Sequence, residues 1–267
     1  MMRRRFVSPC FVVFSLVCAA APAAAQTGGG AEDQSSATPA LPTTAAAAYP
    51  SWPNLFTSTL ADFKRLPSRD TVTWLTIGGV AAAAGHRADT KLTFTLSTSP
   101  ALHEPLEAGA VIGGAPFQLG AALATYAFGR AANSSRVATL GADLFRAQSV
   151  AQLTTYAVKY SVRRTRPDGS QFGFPSGHAA VTFASATVLQ RHFGWKVGLP
   201  AYGVASYVAA SRLQMNRHYL SDVVFGGALG IAAGRTVTIG RGRAQMTLAP
   251  MAAPGGGGLA FTWLGQK

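Results

Sequence analysis

From about residue 70 onward, apolar residues recur three and four positions apart, the period of a helix with one buried face. The pattern predicts helices over 70–85, 107–131, 139–162, 177–192, 197–212 and 219–235. These segments are rich in Ala, Gly, Leu and Val, and small residues let helices pack closely in a membrane or in a tight soluble bundle. Neither an alternating strand pattern nor a repeat interrupts them. Just upstream, Trp52, Leu55, Phe56, Leu60 and Phe63 give the apolar face of a short amphipathic helix at about 54–65. Downstream the pattern changes. Two short extended runs, 244–251 and 258–264, flank Pro254 and the glycines that follow it, and read equally as a β-hairpin or as an irregular tail. The expected fold class is all-α: an antiparallel helical bundle of about six helices, with the hairpin as a small addition.

The first 50 residues lack this pattern. Arg3, Arg4 and Arg5 precede an apolar run from Phe11 to Ala20, and Ala23-Ala24-Ala25 supplies small residues for cleavage. Residues 1–25 therefore read as a secretory signal peptide, with Gln26 as the new N-terminus. The other reading is an uncleaved anchor, for which the apolar run is short. Lipid attachment at Cys18 is disfavoured by the bulky Val17. Both cysteines, Cys10 and Cys18, fall inside the signal, so the exported chain is expected to carry no disulfide. Residues 26–50 are dominated by Gly, Ser, Thr, Ala and Pro and read as a low-complexity linker. The organisation expected is signal 1–25, linker 26–50, helical domain 51–243 and tail 244–267.

Formal charge is +13, although only 12% of residues are charged. A basic balance suits nucleic acid, an anionic lipid surface or an anionic substrate. Nucleic acid is excluded by the export signal and by the absence of a basic stripe interleaved with aromatics. Phosphate or anionic lipid remains as the partner.

Three clusters carry chemistry. Lys159 is followed by Arg166-Pro167; Pro175-Ser176-Gly177-His178 comes next; Ser211-Arg212, His218 and Asp222 form the third. Each alone has a plain explanation: cations at a helix end, a turn before a helix, an i, i+4 surface pair. Together they bring three cations, a helix start with free N–H groups and two histidines to one place. Ser176 and Gly177 stand where backbone donors and the positive end of a helix dipole hold an oxyanion. Asp222 lies one turn after His218, within reach of the imidazole.

The eleven fixed positions of Lys-x6-Arg-Pro, Pro-Ser-Gly-His and Ser-Arg-x5-His-x3-Asp resemble the type 2 phosphatidic acid phosphatase superfamily, which also holds class A bacterial acid phosphatases and vanadium haloperoxidases. The resemblance covers about residues 150–235, and no fixed position departs from it. It implies a phosphate-ester hydrolase in which Lys159, Arg166 and Arg212 hold the phosphate oxygens, Ser176 through its hydroxyl and Gly177 through its N–H complete the cradle, and His218 attacks phosphorus. Asp222 would orient His218, and His178 would protonate the leaving alkoxide and then activate water. No metal or other cofactor is expected, since the exported segment has no run of carboxylates and the cations supply the charge instead.

Helix direction offers a geometric check. If 139–162 runs toward the site, 177–192 leaves it, 197–212 returns and 219–235 leaves again, so all three clusters meet at one end of the bundle. Arg191, Lys196 and Arg235 then mark the opposite end. Outside the clusters, Arg163 and Arg164 read as residues that solvate a helix end, with attraction of anionic head groups as the other reading. Asp168-Gly169 reads as a turn, His86 and His103 as solvated loop residues, and His192 as lying away from the site. The expectation is an exported phosphatase at the periplasm or the periplasmic face of the inner membrane, membrane-associated and acting on lipid phosphates or diphosphates. The alternatives are a soluble periplasmic acid phosphatase and, further off, a vanadate-dependent haloperoxidase or a non-catalytic scaffold.

Overall fold

A computed structural model describes residues 51–238 and the backbone of 245–253 and 256–264. The expected signal peptide and linker lie outside the described residues. Among the described residues, 51–238 form one compact unit with nine α-helices. Six are long: α2 (Arg69–Gly85), α5 (Ala115–Ala131), α6 (Ser135–Val162), α7 (Gly177–Phe193), α8 (Trp195–Gln214) and α9 (Leu220–Val237). Three are short: α1 (Trp52–Arg65), α3 (Asp89–Ser97) and α4 (His103–Ile112). The tail forms an antiparallel pair, β1 (Gln245–Ala253) with β2 (Gly256–Leu264), in which Leu248 opposes Phe261.

Local signals set the helix ends. Ser68 caps α2 by accepting from the Thr71 N–H at 3.1 Å. Pro116 stands in the first turn of α5, where a missing N–H costs nothing. Arg163 ends α6 in the left-handed region, at φ 53°. Expectation and structure differ most at 107–131, where α4 and α5 meet at a bend of 53°. The apolar pattern continues through this point, but the chain turns at Gly113 and Gly114. Gly113 also lies against Val208 of α8, where a side chain has no room. Helix α3 arises between the helices expected at 70–85 and 107–131, where the apolar pattern predicts none.

The core is built of small residues. Ala147, Val150 and Ala151 of α6 meet Ala180, Ala184 and Val188 of α7 and Leu229, Ala233 and Val237 of α9, all buried. At interior packing density such residues bring helix backbones close together. Gly230 faces the Ala180 carbonyl, and Gly226 faces the Ser176 carbonyl so closely that an added Cβ would stand 2.5 Å from it. Helices α7 and α9 therefore run side by side in parallel, both leaving the same pole, while α6 and α8 arrive at it. At the far pole His192 bonds Asp143 at 2.9 Å. The face expected for α1 is only partly used: Leu55 is buried, but Phe56 and Leu60 remain exposed. Asp62 goes inside instead, because Arg146 pairs with it at 2.6 Å.

Candidate active site

The pole where α6 and α8 end and α7 and α9 begin holds a cavity of about 400 Å³. Lys159, Arg166, Gly177, His178, Arg212 and His218 all line it. They come from five segments, and each is placed by its local fold. Lys159 sits in the last turn of α6, and its ammonium donates to the Phe172 carbonyl at 2.6 Å. Phe172 presents that carbonyl from a left-handed backbone, φ 64°. Arg166 stands on a tight loop closed by its own N–H on the Ser170 carbonyl at 2.8 Å. Gly177 and His178 open α7, where N–H groups have no helical acceptor and point outward.

The spacing between Arg212 and His218 has a structural cause. After α8, Asn216 takes φ 58° and turns the chain back. The Arg212 carbonyl then accepts from the N–H groups of Arg217 at 3.0 Å and His218 at 3.3 Å. The nucleophile candidate is thereby locked to the cation beside it. Asp222, fully buried, accepts from the Tyr219 N–H through Oδ2 at 2.9 Å, an N-terminal capping contact of α9. The same oxygen stands 3.6 Å from His218 Nδ1, just beyond hydrogen-bond length.

Ser176 and Asp222 lie behind the cavity wall. Ser176, expected to touch the phosphate through its hydroxyl, is fully buried; its Oγ caps α7 by accepting from the Ala179 N–H at 3.4 Å. Its N–H donates to the Asp222 carbonyl at 2.9 Å, which ties the start of α7 to the first turn of α9. The remaining lining was not singled out from sequence: Gln152, Tyr156, Tyr160, Phe172 and the Gly114–Pro116 elbow. Of these, Gln152 carried the one usable signal, since it falls two turns before Lys159 on the same face of α6.

Burial and like charges depress Lys159, His178, Arg212 and His218. Burial pushes Lys159 down to about 8, Arg166 adds to this, and Asp222 opposes it. Burial, followed by Arg212, pushes His178 down to about 4. Burial also takes His218 to about 4, against the pull of Asp222. A bound phosphate dianion reverses the sign of this field and favours the charged forms. The Nε atoms of Arg166 and Arg212 are buried without a hydrogen-bond partner among the described residues. Such a site is built to gain an anion.

The residues set aside in the sequence fall as follows. His86 is largely exposed but bonds Asp89 at 2.8 Å. His103 lies 3.4 Å from the Gln214 side chain. Asp168 forms a turn, accepting from the Ser170 N–H at 2.9 Å, and pairs with Arg217 at 3.0 Å. Arg164 does not solvate the helix end. It pairs with Asp222 at 2.7 Å and with Asp89 at 2.8 Å.

Residues 152–245 match the PAP2 superfamily. The chain is 44% identical over 82 residues to lipid A 1-phosphatase of Porphyromonas gingivalis, covering 29% of this chain and 18% of that protein. It is 40% identical over 114 residues to decaprenylphosphoryl-5-phosphoribose phosphatase of Mycobacterium tuberculosis, covering 39% and 60% respectively. The chain thus spans less than two thirds of each of these relatives. Among solved structures, a transmembrane PAP2-type phosphatidylglycerolphosphate phosphatase from Bacillus subtilis aligns at TM-score 0.48 with 23% identity, over 68% of this chain and 92% of that one. Aquifex aeolicus LpxE aligns at TM-score 0.48 with 19% identity, over 56% and 93%. All eleven motif positions fall inside residues 152–245, the segment that matches the PAP2 superfamily.

Proposed function

We propose that the protein is a phosphatase that hydrolyses phosphate esters of lipid alcohols through a phosphohistidine on His218. The observation that carries this is the convergence of three cations, a helix start and two histidines on one cavity. Lys159, Arg166 and Arg212, with the N–H groups at the start of α7, hold the non-bridging oxygens and offset charge that grows in the transition state. His218 Nδ1 faces Asp222, so Nε2 is the atom that attacks phosphorus. The P–O bond to the alcohol breaks as the P–N bond forms, and the departing alkoxide takes a proton from His178. Next, His178 removes a proton from water, the hydroxide displaces His218, and inorganic phosphate leaves. His178 Nε2 lies 3.2 Å from the Ala110 carbonyl, which only accepts, so Nε2 keeps its proton and Nδ1 is the exchanging nitrogen.

The lipid part of the reading is supported by the cavity mouth, where Tyr156 and Tyr160 are exposed beside Phe172 and Pro116. It is supported further by the names of the two curated relatives, whose stated substrates are lipid-borne phosphates. The enzyme works at a lipid surface in this reading. Phe94, Val111, Phe117 and Phe128 are all exposed, which suits contact with lipid. Among the described residues, α9 is the one straight helix long and apolar enough to cross a membrane, and most of it is buried in the bundle. The signal-like N-terminal segment supports export to the periplasmic side.

The test is a substrate panel with chelator present: phosphatidate, prenyl diphosphate, phosphatidylglycerol phosphate and a small chromogenic phosphate, each with and without detergent. Vanadate-sensitive phosphate release, strongest on a lipid substrate, is expected. No release from any substrate would overturn the phosphatase reading. Equal rates on the small phosphate would replace lipid by a general acid phosphatase.

The pH profile follows from the site. Lys159 must be charged, which holds below about 8, His218 must be neutral, which holds above about 4, and His178, at about 4 in the empty site, must gain its proton with the phosphate, whose charge favours the protonated ring. The kcat/KM profile of the wild type is therefore expected to be a bell between those limits. Lys159→Arg keeps its charge at all accessible pH, so its alkaline limb should move up by about a unit or more. An unmoved limb would assign that limb to another group.

A further inference from the structure

We propose that Arg164 is a positioning residue for the nucleophile, holding the Asp222 carboxylate toward His218 while Asp89 holds Arg164 away from the phosphate. The proposal rests on the phosphohistidine reading above. Arg164 does not line the cavity, unlike Lys159, Arg166 and Arg212. Its Nη1 donates to Asp222 Oδ1 and to Ser221 Oγ, both at 2.7 Å. Its Nη2 donates to Asp89 Oδ2 at 2.8 Å. The guanidinium lies over the Tyr219 ring, 4.5 Å from its centroid, in a cation–π contact. Both terminal nitrogens are engaged, and two carboxylates claim its charge.

The geometry at Asp222 shows what this achieves. One carboxylate oxygen is taken by Arg164 and the other by the Tyr219 N–H at 2.9 Å. With both ends fixed, the carboxylate plane has one orientation, and in it Oδ2 faces His218 Nδ1. When His218 attacks, its ring becomes cationic, and the row reads Asp89 negative, Arg164 positive, Asp222 negative, His218 positive.

Asp89 is the anchor of that row. It comes from α3, far from the motif in sequence, and is almost fully buried. Its Oδ1 accepts from the Ser221 N–H at 2.8 Å, and its Oδ2 from the Ser221 hydroxyl at 2.6 Å. Burial pushes its carboxyl upward, but hydrogen bonds from Ser221, Arg164 and His86 outweigh this and hold it below the usual carboxylate range. Asp89 therefore stays charged and keeps a claim on Arg164, so the guanidinium is not drawn into the phosphate cavity. Partners that orient a reacting ring through a second group typically matter by about ten- to a hundredfold.

The experiment is kinetic. On a soluble phosphate ester, Arg164→Ala should lower kcat by about a hundredfold and change KM by less than about threefold. Vanadate affinity should stay near the wild-type value, because the phosphate cradle is untouched. Arg164→Lys, which reaches one carboxylate but not both, should recover part of kcat. The decisive measurement is the double-mutant cycle with Asp222→Asn: once Asp222 is disabled, losing Arg164 should cost little more. Additive losses would overturn the proposal, and so would a rise in KM with kcat retained, which would make Arg164 a phosphate ligand. If the alanine variant does not fold, Arg164→Lys and Asp89→Asn carry the same cycle. The phosphohistidine reading fails separately, by activity surviving in His218→Ala.

Discussion

His218→Ala is expected to lower kcat by about ten-thousand-fold or more, the scale seen when a covalent nucleophile is removed. His178 is the other histidine on the cavity, and its Nε2 is committed to the Ala110 carbonyl. Phosphate binding should survive, because Lys159, Arg166, Arg212 and the start of α7 remain. The variant should therefore bind vanadate or inorganic phosphate while releasing none from substrate. A second reading of the same step comes from trapping. With wild type, rapid acid-free quenching of labelled substrate should leave label on the protein in an acid-labile, base-stable linkage, and His218→Ala should carry none. Release within tenfold of wild type by purified His218→Ala would end the assignment.

Asp222→Asn is expected to lower kcat by about a thousand- to ten-thousand-fold, the range found when an aspartate that orients a catalytic histidine becomes an amide. The hydrogen bonds around it give the reason. Arg164 donates to one oxygen, and the Tyr219 N–H donates to the other. An asparagine can satisfy only one of them. If its carbonyl faces Arg164, its amide meets the Tyr219 N–H and donates to His218 Nδ1. The ring proton is then forced onto Nε2, the atom that must attack. If the amide is reversed, its NH₂ group opposes Arg164, and a half-buried cation loses one of its two carboxylates. Breaking a buried pair from one side costs about 3 to 5 kcal/mol, so thermal stability should fall as well. Activity must be measured per folded molecule, with melting temperature recorded beside it. A variant of full stability and full kcat would show that His218 needs no orienting carboxylate.

How much of this was legible in the sequence follows from how far apart the partners lie. Lys159 through Asp222 fall in one stretch, and helix periodicity alone brings their ends to one pole. The six long helices and the direction of the last four were readable for the same reason. Arg164 was not, because a cation at a helix end normally meets solvent. Only Asp89, 75 residues away, and Asp222, 58 away, turn it inward. Asp89 itself sits at the start of α3, in a segment whose Thr and Ser content conceals a short helix. The α4–α5 elbow also escaped, since its apolar run is unbroken. Gly113, Gly114 and Pro116 were the available signal, and the cause of the turn, close packing against α8, is tertiary. Ser176 was read as a ligand through its hydroxyl; its oxygen caps α7, a contact that leaves the hydroxyl proton to donate.

The close approach of α7 and α9 bears on how damage to this protein would be read genetically. Gly226 faces the backbone of Ser176, and Ser176 in turn holds the Asp222 carbonyl. A single methyl group there would push the proposed phosphate cradle away from the proposed nucleophile without altering any reacting atom. Loss-of-function alleles should therefore gather at Gly226 and Gly230 as densely as at the histidines. A survey that scores residues by chemical type would overlook them, and the heritable active site is wider than the set of groups that touch phosphate.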